Sequence, residues 1–221
     1  MSQQPEQATT APPDIIYIIR HGEKPDDPPV VAPGQTPPAP VPPFGVDFQG
    51  NQNPHSLLPT GWQRSGALAV LFDPATGPLQ AGLQTPATLL SPSYGSADKT
   101  TEHRTYQTIE ALSDRLGLAI VSAYAEGDEP ALASAVVTQY SGVVLICWEH
   151  DHIPSLASSL PAVAGTVIPQ AWPGDRFDVI WVFTRVQELG PARYAFSQIP
   201  QQLLAGDSAT VIPVGDEHHK G

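Results

Sequence analysis

The stretch DIIYIIRHGEKP, Asp14 to Pro25, joins an unbroken apolar run to a short charged segment. Residues 15–19 do not alternate with polar residues, which is typical of a strand buried on both faces of a sheet. Sheets of that kind carry helices on both sides and bind ligands at the carboxyl ends of their strands. We therefore expect Arg20 and His21 at that edge, where Gly22 allows a sharp turn. Such a pair favours an anion, although these residues alone fit a solvated strand end equally well.

Strand and helix candidates alternate along most of the chain, which predicts a largely parallel sheet with right-handed crossovers. A second apolar strand, VVLICW, begins at Val143 and is as apolar as the first. Asp175 and Arg176 precede a later strand, and they fall at the opposite edge if that strand is parallel. The fold class predicted is a three-layer α/β/α sandwich around a mostly parallel central sheet. Helices are expected at 56–73, 104–116, 128–140 and 154–160, and the other strands at 87–91, 119–122, 177–183 and 193–199.

The length of 221 residues suits one α/β domain, which we place at residues 14–205. Residues 1–13 are polar and are expected to form a disordered tail, and residues 206–221 a C-terminal tail. Nine of the 26 prolines fall in residues 25–43, which predicts a stiff, extended surface insert. A lid, a partner-binding segment and a plain spacer all remain open for that insert.

The net charge is −12, from 10 basic and 22 acidic residues, and the basic residues form no cluster. Nucleic acid and anionic membranes are therefore not expected as partners. A small phosphorylated substrate held in a local pocket fits a negative protein better than a large polyanion does. The single cysteine, Cys147, excludes an intramolecular disulfide. The N-terminus has no apolar segment and no run is long enough to span a membrane, so we expect a cytoplasmic protein.

Both apolar strands end in a histidine, since Arg20-His21 follows the first and Glu149-His150 follows the second. Parallel strands would bring the two imidazoles to the same edge of the sheet. A neutral imidazole can attack phosphorus, and a protonated one can stabilise the charge that develops on the phosphoryl oxygens. A metal site is the alternative, since His150 and His152 flank Asp151 with Glu149 beside them, although the chain lacks the further ligands of a dinuclear metallohydrolase.

Three strings together resemble the histidine phosphatase superfamily, which has the phosphoglycerate-mutase-like fold: Arg20-His21-Gly22, HRTYQTIEAL with Arg104, and CWEHDHIPSLA with His150. The last is similar to a branch 1-like subgroup in which Trp-Glu-His takes the place of Ser-His-Gly. The resemblance implies that His21 forms a phosphohistidine and that no cofactor is needed. It further implies that Arg20, Arg104 and His150 hold the phosphoryl oxygens. A helix N-terminus with a guanidinium suits a doubly charged oxyanion.

The family resemblance also implies a general acid just past the third strand, where this chain has AYAEGDEP. Glu126 and Glu129 are the two candidates. Glu129 has a structural use at a helix start, so Glu126 is preferred. Arg64 lies in the helix that follows the first strand in this family and is not predicted to bind phosphate.

The function predicted is a metal-independent phosphatase that hydrolyses a small phosphomonoester. A phosphate- or phosphopeptide-binding module of the same fold without turnover is the alternative from another class. A phosphomutase is less favoured, because nothing in the sequence marks a pocket that retains a phosphorylated intermediate. The physiological substrate and the oligomeric state stay open.

Overall fold

A six-stranded sheet lies at the centre of the protein, in the order β3-β2-β4-β1-β5-β6. The computed structural model describes residues 11–26, 31–36, 38–39, 41–186 and 190–214. The strands β1 to β4 are mutually parallel, β5 is antiparallel to β1, and β6 is antiparallel to β5. The prediction of a mostly parallel sheet is confirmed. In chain order the strands are Ile15–Arg20, Thr88–Leu90, Ile120–Val121, Val143–Trp148, Val179–Arg185 and Tyr194–Pro200.

Helices cover both faces of this sheet. Alternate side chains of β1 point to opposite sides, with Ile16 and Ile18 in one apolar cluster and Tyr17 and Ile19 in the other. The first cluster packs against α4 and α5, and the second against α1 and α3. This is why residues 15–19 of β1 carry no charged side chain. The helices α1 to α5 are Pro59–Phe72, Ala97–Thr101, Arg104–Leu116, Glu129–Gln139 and Ile153–Ser159.

Two helices differ from the sequence expectation. The first helix begins at Pro59 and not at residue 56, with Leu58 as its N-cap residue. Proline is suited to a first helical position because its fixed φ is already helical. The short helix α2 was not among the expected helices, because its sequence shows no apolar period.

The pairing of β1 with β4 decides where the chemistry lies. Arg20 stands opposite Trp148 in the register, and the backbone N–H of His21 donates to the Trp148 carbonyl at 3.3 Å. The residues that follow each strand, His21 and Glu149, therefore emerge side by side at one edge.

The antiparallel direction of β5 corrects the placement of the segment that precedes it. That segment lies at the edge where β1 ends, not at the opposite edge. Arg20 NH1 lies 2.7 Å from the Gly174 carbonyl oxygen, 3.2 Å from that of Pro173 and 3.3 Å from that of Arg176. Arg176 forms an ion pair with Asp178 at 2.7 Å.

The packed chain extends past both predicted boundaries of the domain. Pro13 is buried, and its carbonyl accepts a hydrogen bond from the Tyr194 hydroxyl at 2.9 Å. At the other end Ile212 belongs to the core, and Asp207 forms an ion pair with the buried Arg64 at 2.7 Å. Residues 1–10 and 215–221 of the predicted tails lie outside the described residues, as do 27–30, 37 and 40 of the proline-rich insert. Of the helices in the described ranges, none has the length and apolar character needed to cross a membrane.

Two glycines bring the start of α1 against the segment that carries His21. A Cβ atom on Gly61 would lie 2.6 Å from the carbonyl oxygen of Glu23, which is closer than real Cβ contacts. A Cβ on Gly22 would lie 3.1 Å from the Cα of Gly61. The helix can approach the segment after β1 only because both side chains are absent.

We expect Gly61→Ala to destabilise the fold by about 1–3 kcal/mol, because the added methyl group overpacks a backbone contact. Gly66→Ala, in the same helix with open space around its Cβ, is the matched control. It should stabilise the protein by about 0.5–1 kcal/mol, since alanine loses less backbone entropy. Urea unfolding measures both changes, and equal effects of the two substitutions would contradict the close-approach argument.

Candidate active site

His21 is fully buried at the end of β1, and its two ring nitrogens have different surroundings. Nδ1 lies 2.6 Å from the carbonyl oxygen of Gly22. Because a carbonyl can only accept, Nδ1 carries the proton in this contact, and Nε2 of the neutral ring keeps its lone pair. Burial lowers the pKa of His21, against the opposing effect of Glu149. The ring is therefore neutral at neutral pH, with Nε2 as its nucleophilic atom.

A hydroxyl relay fixes the turn after His21. The Gly22 N–H donates to Thr108 Oγ1 at 2.7 Å, and that hydroxyl donates to the Arg104 carbonyl at 2.6 Å. The turn is thereby tied to the first turn of α3, the helix that begins with Arg104.

His150 and Arg104 approach His21 from two other elements. The His150 ring lies 6.3 Å from the His21 ring between centroids, at an interplanar angle of 86°. Arg104 stands at the N-terminus of α3 and has its side chain mostly buried. Both residues face the same carboxylate, that of Glu149.

Glu149 was considered in the sequence analysis only beside the alternative metal site, although it precedes His150 in the Trp-Glu-His triplet. Its Oε2 lies 3.2 Å from His21 Nε2 and 3.5 Å from His150 Nδ1, and its Oε1 lies 3.6 Å from Arg104 Nε. Burial opposes its ionisation, but His150 and Arg104 outweigh burial and hold the pKa of Glu149 well below its ordinary value. No spacing rule could have found this role, because it depends on three elements meeting.

Arg20 lies deeper than the other cations of the site. Its guanidinium is 4.0 Å from the centre of the Phe177 ring. Its NH1 donates hydrogen bonds to backbone carbonyls of the segment that precedes β5. Burial lowers the pKa of Arg20 to about 10, although the carboxylates of Glu149 and Asp151 oppose that shift. The side chain is therefore still a cation at neutral pH.

Several buried side-chain nitrogens at this edge have no hydrogen-bond partner within the part of the chain that the structure describes. They are Arg20 Nε and NH2, His21 Nε2, Arg104 Nε and His150 Nδ1. Buried polar atoms normally find a partner, so a group of unsatisfied nitrogens marks this edge as a candidate binding site. All of them belong to residues predicted to bind or attack a phosphoryl group.

The two candidate acids have different environments. Glu129 is almost fully buried and contacts the Trp148 indole N–H at 3.0 Å, the Gly127 N–H at 2.9 Å and His152 at 3.1 Å. Burial opposes its ionisation, but the hydrogen bonds from Gly127 and Trp148 prevail and lower the pKa of Glu129. An acid with a lowered pKa holds its proton poorly, so this structure uses Glu129 as an acceptor that fixes Trp148.

Glu126 has surroundings that favour its protonated form. The residue as a whole is exposed, but partial burial of its carboxyl group raises its pKa, the Glu149 carboxylate adds to that effect, and a hydrogen bond from Tyr94 opposes it. Tyr94 was missed by the sequence analysis. Its hydroxyl donates to Glu126, and its ring stacks on His103, the residue before Arg104, with centroids 3.5 Å apart. Tyr94 therefore links Glu126 to the start of α3.

A polar cavity of about 290 Å³ opens in front of these groups. It is lined by Lys24, Arg104, Glu126, Glu149, His150, Asp151 and His152. A larger depression of about 490 Å³ lies against α1, but its lining is mostly apolar and contains no titratable side chain. The polar cavity is thus the place where chemistry can occur.

Arg64 is outside this cavity, as the sequence analysis expected. Its guanidinium contacts the carboxylates of Glu23 and Asp207 at 2.7 Å each, and the Gln201 side-chain oxygen at 2.9 Å. Glu23 therefore has a structural role, because its carboxylate joins the segment after His21 to α1.

The comparisons with known proteins leave the family open. No family model matches the chain, and no curated protein matches it. A solved structure described as "Mycobacterial hydrolase 1" is similar, with 13% identity and a TM-score of 0.45, over 83% of this chain and 97% of that chain. A likeness of this degree carries no conclusion about activity. Fold and site define a mixed α/β protein with a histidine- and arginine-lined polar cavity.

We expect Arg104→Ala to weaken the binding of inorganic phosphate by about 1.5–3 kcal/mol, the usual range for a hydrogen bond to a charged group. Isothermal titration calorimetry measures the change. Arg115→Ala is the matched control, because Arg115 lies at the other end of the same helix and pairs with Asp73. Equal affinities in the two variants would remove Arg104 from the anion site.

Proposed function

We propose that this protein is a metal-independent phosphatase of the histidine phosphatase type, which hydrolyses a small phosphomonoester through a phosphohistidine on His21. The proposal rests chiefly on one observation: His21, His150 and Arg104 all face a single carboxylate, that of Glu149, within 3.6 Å. Groups that come from three elements and converge on one anion are suited to hold another. The cationic Arg20 beneath them also favours the binding of an anion.

The first chemical step uses His21 as nucleophile. Its Nε2 lone pair attacks phosphorus, so an N–P bond forms while the bond to the ester oxygen breaks. The Gly22 carbonyl accepts a hydrogen bond from Nδ1–H and so stabilises the positive charge that the ring gains. The guanidinium groups of Arg20 and Arg104, with His150, stabilise the negative charge on the phosphoryl oxygens.

The leaving group and the second step require a proton donor and acceptor. Glu126 transfers its proton to the departing alkoxide, which leaves as the alcohol. Water then attacks phosphorus and gives a proton to the Glu126 carboxylate, the N–P bond breaks, and phosphate is released. Atoms and charges balance over the two steps, and no metal or redox group takes part.

One observation favours a second candidate, a metal-dependent hydrolase. His21, Glu149 and His150 each offer a ligand atom, and these atoms lie within 4.8 Å of one another. Two imidazoles and a carboxylate are a ligand set that catalytic zinc uses. Arg104, 3.6 Å from the same carboxylate, is a cation that a bound metal would have to tolerate, which favours the phosphatase.

Hydrolysis of p-nitrophenyl phosphate in the presence of EDTA tests the proposal. We expect activity that survives the chelator and falls by about 10³-fold or more in His21→Ala, because the nucleophile is removed. His55→Ala is the control, since that exposed imidazole stacks on His103 outside the cavity. Activity lost to EDTA and restored by zinc would favour the metal-dependent alternative. Phosphate binding without any hydrolysis would favour a binding module.

The role of Glu126 is tested by comparing an aryl with an alkyl phosphate. An aryl oxide leaves without help, so Glu126→Gln should lower the rate on the alkyl ester by about 10²-fold or more and affect the aryl ester much less. Glu129→Gln should leave the ratio of the two rates unchanged.

The pH profile gives an independent check on Glu126. The acid acts only while protonated, so alkyl-ester activity should fall as pH rises through its pKa. Because that pKa is raised, the fall should lie above the range of an ordinary glutamate. This pH-dependent fall in activity should be absent in Glu126→Gln.

A further inference from the structure

The nucleophile of the proposed reaction is closed off from the cavity that the substrate would enter. His21 is 0% exposed, and it does not line the cavity. Glu149 does line it, and the same carboxylate lies 3.2 Å from His21 Nε2. The carboxylate therefore stands between the open space and the atom that would attack phosphorus.

The position of that carboxylate is also the position that a phosphoryl group would need. Attack by Nε2 requires phosphorus within about 3–3.5 Å of it, and Glu149 Oε2 lies at that distance. His150 and Arg104, which would hold phosphoryl oxygens, face the two oxygens of the same carboxylate. A phosphate and the Glu149 carboxylate cannot occupy this place together.

The hold on Glu149 is incomplete. His21 Nε2, His150 Nδ1 and Arg104 Nε lie 3.2–3.6 Å from its oxygens, yet among the described residues none of the three has a partner in hydrogen-bond geometry. A carboxylate offers two oxygens in one plane, whereas a phosphoryl group offers three non-bridging oxygens and up to two charges. A doubly charged tetrahedral group can therefore satisfy the Arg104 and His150 donors that Glu149 leaves unsatisfied, while His21 Nε2, which carries a lone pair, does not donate to Glu149.

We propose that Glu149 is a built-in competitor for the phosphate site: its carboxylate covers His21 in the free protein and must leave before a phosphoryl group can bind. This inference rests on the proposed function. It makes Glu149 a residue that sets substrate affinity and controls access to the nucleophile, without itself forming or breaking a bond. The competitor lowers the apparent affinity for phosphate, because only those molecules in which Glu149 is displaced can bind it.

Binding of inorganic phosphate to three full-length proteins tests the competitor. If the open form is about one-tenth populated, Glu149→Gln should bind phosphate about tenfold more tightly than the wild type in calorimetric titration. Asp175→Asn is the control, because it removes a negative charge that acts on Arg20 from outside the cavity. Its affinity should stay close to that of the wild type.

Chemical labelling tests the cover without any phosphate. Diethyl pyrocarbonate acylates neutral imidazole nitrogen, and peptide mass mapping separates His21 from the other histidines. Glu149→Ala should increase the labelling rate of His21 by about tenfold, by the same population argument, and Asp175→Ala should not.

The outcomes separate the two proposals. If the wild type binds phosphate and Glu149→Gln binds it equally well or more weakly, the competitor is overturned. The phosphatase proposal is then left intact. An unchanged labelling rate of His21 in Glu149→Ala also overturns the competitor, since Glu149 would then not control access to His21. Failure of all three proteins to bind phosphate overturns the anion site, and both proposals with it.

Discussion

The parallel pairing of β1 with β4 is the constraint on which the site depends. Residues 15–19 of β1 and all residues of β4 lack charged side chains because helices cover both faces of the sheet, so neither strand can shift its register without exposing core side chains. With Arg20 opposite Trp148, the chain must deliver His21 and Glu149 to the same edge. The two imidazoles and the carboxylate are neighbours because a hydrophobic pattern fixes the strands, and not because the polar residues attract one another.

The remaining elements complete this edge. The helix α3 brings Arg104 to it, and the Thr108 hydroxyl joins that helix to the turn after His21. The antiparallel β5 brings backbone carbonyls against Arg20, which hold one guanidinium nitrogen and leave others unsatisfied. Positive charge is thus concentrated in a protein whose net charge is −12. A local pocket of this kind can bind a small anion although the overall field repels it.

Glu149 gives the site its unusual balance. The cations of the site hold the pKa of this carboxylate well below its ordinary value, so it stays charged. Glu126 experiences the opposite effect, because partial burial of its carboxyl group and the neighbouring Glu149 raise its pKa. The pKa values of two carboxylates at one cavity are therefore shifted in opposite directions. Environment, and not residue type, separates them.

Local sequence was sufficient for the layered fold, for most strands and helices, and for the convergence of His21, His150 and Arg104. Buried strands and amphipathic helices leave periodic patterns, and the carboxyl ends of parallel strands meet at a predictable edge. Tertiary structure alone decided the direction of β5, the inclusion of Asp207 in an ion pair with Arg64, and the position of Glu149. Each of these depends on contacts between residues far apart in the chain, which no local pattern records.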